Sequence, residues 1–168
     1  YPDYLDICIA ITGRAPRIGC HQDEGRKARF IVNVNKPEGA DDAFYPLLGY
    51  WVGKQSNGRI PAIIGLQNTA MSKDDLKAFG AAFATTSSAP MFHIVGVTPE
   101  AKVLENVLSC EVTLASDLPA LELSVQSSLP QEIESMFVDG SILSTVWLSL
   151  NTTESERIDM VCLGNPHL

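Results

Sequence analysis

The run Met91-Phe92-His93-Ile94-Val95-Gly96-Val97-Thr98-Pro99-Glu100-Ala101 decides the fold class of this chain. Residues 91–97 are apolar and mostly β-forming, interrupted by one histidine, and predict a strand. Thr98 is a good helix N-cap, Pro99 suits the first helical position and Glu100 the first turn, so a helix is predicted over 99–109. A strand running into a capped helix is the repeating unit of an open α/β sheet. Such sheets place ligands where a strand's carboxyl end meets a helix N-terminus.

The same alternation extends in both directions. Ser72 caps a predicted helix with Asp74 and Asp75 at its positive end, and Leu76, Phe79, Gly80 and Phe83 follow helical spacing. Ala78, Ala81, Ala82 and Ala84 allow that helix to lie close on a sheet. Residues 60–66 form a continuous apolar run, of the kind buried on both faces of a parallel sheet. Asp41 or Asp42 caps a helix carrying Phe44, Leu47, Leu48, Trp51 and Val52, with Pro46 confined to its first turn and Gly58 ending it. Residues 30–34 predict a strand that Pro37 stops. Residues 14–27 are polar, contain Gly19 and Gly25, and read as a loop. Tyr4, Leu5, Ile7, Cys8 and Ile11 share one face of a short helix that Gly13 ends, where Cys8 reads as packing. Beyond the central run, a strand is predicted at 111–114, a helical turn at 131–137, a helix at 141–150 with Ile142, Val146 and Leu150 on one side, and a buried strand at 158–163 ended by Gly164. The order implies an α/β fold with a mostly parallel sheet covered by helices.

The 168 residues suffice for a single α/β domain with a real core. Hydrophobic residues make up 45% and charged ones 19%, which excludes a disordered chain. The net charge of −8 argues against a nucleic-acid surface, and no basic cluster exceeds Arg26-Lys27 with Arg29 nearby. No apolar run approaches the roughly 18 residues of a membrane span. No secretory signal is read in these residues, and none is expected. The four cysteines, at 8, 20, 110 and 162, form neither a disulfide framework nor a zinc signature, so a reduced, cytoplasmic setting is expected. The chain opens on Tyr1 without Met and closes on Asn165-Pro166-His167-Leu168 just after a strand-like run. It reads as a piece of a longer protein, with part of any site elsewhere.

Three segments carry candidate chemistry. In Thr12-Gly13-Arg14-Ala15-Pro16 with Gly19-Cys20-His21, Arg14 or Arg17 can hold a carboxylate by a two-pronged hydrogen bond, and His21 can move a proton near neutral pH. The alternative is a solvated loop whose arginines pair with Asp23 or Glu24. His93 reads either as a core histidine bonded to backbone or as a site group near Thr98 and the free amides of the following helix. Glu100 is a helix-end charge or a site carboxylate. Cys162-Leu163-Gly164-Asn165-Pro166-His167 closes the last strand. There Cys162 reads as a core thiol, while Asn165 and His167 lie past the strand end. Gly13, Gly19 and Gly25 form no dinucleotide or P-loop pattern, and no nucleophile elbow is present. Asn151-Thr152-Thr153 matches a glycosylation sequon by chance.

Four stretches, in this order, resemble aconitase X, a branch of the aconitase superfamily. They are Asp6-Ile7-Cys8-Ile9-Ala10-Ile11-Thr12-Gly13-Arg14-Ala15-Pro16 with Gly19 and His21, Asp75-Leu76-Lys77-Ala78-Phe79-Gly80-Ala81-Ala82, the run from Phe92 to Ala101, and Asp159-Met160-Val161-Cys162-Leu163-Gly164-Asn165-Pro166-His167. The resemblance implies a hydro-lyase that removes water from a small hydroxy acid, with an iron–sulfur cluster as Lewis acid on the leaving hydroxyl. It implies an internal portion of a large catalytic part, which a small swivelling part, fused or separate, completes. On this resemblance Arg14 binds the substrate carboxylate, and Thr12 and Gly13 shape its pocket. His21 and His93 orient substrate or relay a proton, and Thr98 with the helix amides binds an anionic group. Asn165 stands near metal and substrate, with Cys162 as second choice for the metal, and most cluster ligands lie outside the chain. Some family members carry a cysteine at the position of Asn165. Asn is a poor substitute for a thiolate on iron, so the cluster's nuclearity stays open. The wording of residues 6–16 and Asn165 favours cis-3-hydroxy-L-proline as substrate, with mevalonate 5-phosphate as the alternative. A reading from another class is a non-catalytic α/β scaffold or binding domain.

Overall fold

The computed structural model describes residues 3–108, 133–152, 157 and 159–161. The first helix, α1, spans Asp3–Thr12 and ends where Gly13, at φ +63°, donates its amide to the Ile9 carbonyl at 2.8 Å. Two short 3-10 turns follow, Gly19–His21 and Glu24–Arg26. Strand β1 is Phe30–Val34, helix α2 Phe44–Ser56, strand β2 Pro61–Ile64 and helix α3 Lys73–Thr86. Strand β3 is the two residues His93–Ile94, strand β4 is Glu134–Val138 and helix α4 is Gly140–Leu150.

The four strands form one sheet in the order β3-β2-β1-β4, parallel throughout, so the expected α/β architecture holds. Residues Ile31, Ala62 and His93 stand side by side in register, as do Val32 with Ile63 and Ile63 with Ile94. Successive side chains alternate between faces. One face (Phe30, Val32, Val34, Ile63, Ile94 and Val138) is buried under the helices through Leu48, Val52, Phe79, Phe83 and Leu143. The other carries Ile31, Ala62 and Ile64 beneath Ala101, Leu104, Val107 and Leu108. Helices α2 and α3 lie unusually close. A Cβ on Gly49 would stand 2.3 Å from the Phe79 carbonyl oxygen, and one on Gly53 2.1 Å from Thr86 Oγ1. Of the alanines expected to allow close packing on the sheet, Ala78 and Ala82 are partly buried, while Ala81 and Ala84 are exposed.

Several expectations are corrected. The strand at 91–97 shrinks to two residues, and no helix follows it over the described part of 99–109. An N-cap hydroxyl accepts from amides ahead of it in the helix. Thr98 Oγ1 turns backward instead, accepting from the Ile94 amide at 3.0 Å and donating to the Ile94 carbonyl at 3.1 Å. Gly96, at φ +76°, donates to the Ala101 carbonyl at 2.7 Å and closes the turn. The chain then crosses the second face with one 3-10 turn, Leu104–Asn106. In place of a helical turn at 131–137, the described residues form β4 along the free edge of β1. Of the buried strand predicted at 158–163, the described residues 159–161 are irregular, with Met160 and Val161 exposed. The strand predicted at 111–114, and Cys162, Asn165 and His167, lie outside the described residues. Cys8 is exposed rather than packed. Among the described residues, no helix is long and apolar enough to cross a membrane.

Candidate functional site

Arg26 gathers a polar cleft. Its Nε donates to Glu100 Oε2 at 2.9 Å and its Nη2 to Glu100 Oε1, the two-pronged geometry that a guanidinium offers a carboxylate. Its Nη1 donates to the Cys20 carbonyl at 3.0 Å. Its own carbonyl lies 2.7 Å from His93 Nε2. A carbonyl can only accept, so this nitrogen carries the proton. Lys27 Nζ donates to the Asn106 carbonyl at 2.9 Å. Together Asp23, Arg26, Lys27, His93, Glu100 and Asn106, with Val107, line a cleft of about 400 Å³ on the second face of the sheet. The Arg26 guanidinium, by hydrogen bonding first, holds the Glu100 carboxyl below its usual range, and Glu100 in turn raises Arg26. The chemistry on offer is recognition of a small polar or anionic molecule, with an oriented imidazole in the wall.

A second crevice, of about 620 Å³, opens beyond the carboxyl ends of β1 and β4, between Pro37, Phe44, Leu47, Leu143, Trp147 and Leu148. The chain leaves β1 toward β2 and returns to its other side as β4, so this is the topological switch point of the sheet. The charged members of its lining are Glu38 and Asp41, which disfavours a carboxylate or phosphate there.

Of the site residues expected from sequence, His93 lies in the polar cleft, 1% exposed and bonded to backbone, and Glu100 joins it as a fixed carboxylate rather than a helix-end charge. His21 lies in the first 3-10 turn, on the loop that Arg26 ties to Glu100. Thr12, Gly13 and Arg14 stand exposed at the end of α1. There Thr12 Oγ1 donates to the Cys8 carbonyl at 2.7 Å and accepts from the Arg14 amide at 3.3 Å. Thr98 is spent on the turn after β3, and with no helix behind it the amide cradle for an anion is absent. Arg26 was not singled out by its sequence. Glu100 falls in one of the stretches that resemble aconitase X, Arg26 in none, and nothing local pairs the two.

A model of the aconitase X second domain matches residues 28–118. This chain belongs to the aconitase X family. It is 46% identical over 99% of its length to a cis-3-hydroxy-L-proline dehydratase of Hypocrea jecorina, and spans 25% of that protein. It is 28% identical over 96% of its length to the phosphomevalonate dehydratase large subunit of Methanocaldococcus jannaschii, spanning 35% of it. The solved structure of Thermococcus kodakaraensis aconitase X in its holo-form superposes with a TM-score of 0.57 at 28% identity, covering 85% of this chain and 30% of that one. The chain therefore spans about a quarter of the length of the first of these relatives.

The fit of an iron–sulfur cluster can be tested on the described side chains. No three His, Cys, Asp or Glu among them gather as a metal ion would require. Cys8 is exposed on α1, and the Cys20 thiol donates to the Gly25 carbonyl at 3.3 Å. The described residues do not form a cluster site.

Proposed function

We propose that this chain is part of a hydro-lyase that removes water from cis-3-hydroxy-L-proline. The observation that carries the reading is the 46% identity, over 99% of the chain, to a dehydratase of that name, against 28% to the phosphomevalonate enzyme. A proline-derived substrate offers one carboxylate and no phosphate, which a single two-pronged arginine can receive. In this reading Arg14 receives the carboxylate, Thr12 and Gly13 shape the approach to it, and His21 holds or moves a proton. All four stand on the exposed end of α1 and the loop after it. The base that takes the α-proton belongs to the rest of the enzyme. So does an iron–sulfur cluster, for which Asn165 and Cys162 are the candidates in this chain. The whole enzyme works in the cytoplasm and closes over substrate with a small swivelling part.

The test is made on the complete protein purified without oxygen. Iron and sulfide are measured together with the dehydration of cis-3-hydroxy-L-proline. Iron with turnover is the expected result. Turnover of mevalonate 5-phosphate instead would replace the substrate. Neither iron nor turnover after reconstitution would leave a non-catalytic α/β domain.

A further inference from the structure

The loop between α1 and β1 is folded on itself. Its two 3-10 turns touch so closely that a Cβ on Gly25 would lie 1.9 Å from the Gly19 carbonyl oxygen. The Cys20 thiol bonds to Gly25, and the Arg26 guanidinium bonds back to Cys20. What orients this unit on the sheet is its last residues. The Arg26 carbonyl is held by His93, its guanidinium by Glu100, and the Ala28 amide by the Val107 carbonyl at 2.7 Å. The two side-chain anchors stand on hydrogen-bonded elements. His93 is buried beside Ala62 in the sheet register. Glu100 stands on a turn that Thr98 and Gly96 close.

We propose that His93, Arg26 and Glu100 form a lock that positions the loop bearing Arg14 and His21, and that His93 holds this loop through Arg26 rather than reacting with substrate. Two features separate this from a proton relay. The Nε2 proton of His93 is committed to a main-chain carbonyl, and the ring is 1% exposed. Arg26 joins both anchors, so displacing either one loosens the same segment. The charged groups that share the cleft with the ring are Asp23, Arg26, Lys27 and Glu100. None of them needs His93 to change its charge for the lock to hold.

The kinetic part of the test rests on the dehydratase reading. The hydrogen-exchange part does not. In the complete enzyme, His93→Gln keeps an N–H donor at similar reach, while His93→Leu removes it. The lock predicts turnover by His93→Gln within about threefold of the wild type, and a loss on the order of thirtyfold or more for His93→Leu, as a displaced positioning element produces. Amides of residues 19–26 exchange at the wild-type rate in His93→Gln and faster in His93→Leu. Glu100→Gln, at an exposed position, guards against misfolding of the buried variant: it too speeds exchange in 19–26, and it raises KM more than it lowers kcat. Loss of turnover in His93→Gln equal to that in His93→Leu, with loop exchange unchanged, would show that the ring itself does chemistry and would overturn the lock. Unchanged exchange in Glu100→Gln would overturn it as well. A wild-type enzyme with no dehydratase activity would sink the functional reading, while the exchange comparison still decided the lock.

Discussion

Glu100 keeps its charge further into acid than an ordinary glutamate, because the Arg26 guanidinium donates two hydrogen bonds to it. A carboxyl with a depressed folded pKa adds stability above its unfolded pKa, and that stability is lost as pH falls through the folded value. The Glu100 side chain is 46% exposed, so water screens the pair and its worth is no more than about 1 kcal/mol. Denaturant unfolding of wild type and Glu100→Gln should therefore differ slightly at neutral pH. The gap should close on the acid side of the usual carboxylate range and narrow in high salt. A gap that widened in acid would contradict the pairing. At this scale the sequence is half legible. The reading of His93 as a core histidine bonded to backbone matches its place, because an apolar strand announces burial locally. The role of Arg26 is not legible, because its partner is 74 residues away.

Two helix starts looked alike in sequence and differ in structure. Before α3, Ser72 and Asp75 form a reciprocal capping box. The Asp75 amide donates to Ser72 Oγ at 3.1 Å, and the Ser72 amide donates to Asp75 Oδ2 at 2.9 Å. Replacing Ser72 with Ala should cost about 1 kcal/mol, measured as a lower denaturation midpoint with an unchanged slope. Loss of stability with a changed slope would point instead to a disturbed denatured state. Thr98, with Pro99 and Glu100 behind it, carries the same kind of start signal but caps no helix. Its hydroxyl reaches the strand before it, and Ala101, Leu104, Val107 and Leu108 gain more by covering the second face of the sheet than by continuing a helix. β4 is the converse case. Glu134, Ser135 and Met136 have little strand character, yet the unpaired edge of β1 takes them in register.

For the molecule as a whole, burial separates a strong core from weak margins. The strands β1 and β2 are almost wholly buried, while Tyr4, Ile7 and Ile11 of α1 are exposed by 84%, 57% and 79%. Hydrogen exchange on this chain should find the amides of β1 and β2 opening only with global unfolding, and those of α1 exchanging orders of magnitude faster. Equal protection in α1 would mean that it docks. The local sequence by itself determined what periodicity and caps can encode: the existence of α1, β1, α2, β2, α3 and α4, the parallel α/β class, and the buried runs of the core. Tertiary structure alone decided which edge received β4, how the 95–108 segment folds, that α2 and α3 meet through Gly49 and Gly53, and that Arg26, His93 and Glu100 share one cleft. The physical reason is range. Hydrophobic period and capping act over a few residues, whereas strand pairing and ion pairing join residues that only the closed fold brings within a few ångströms.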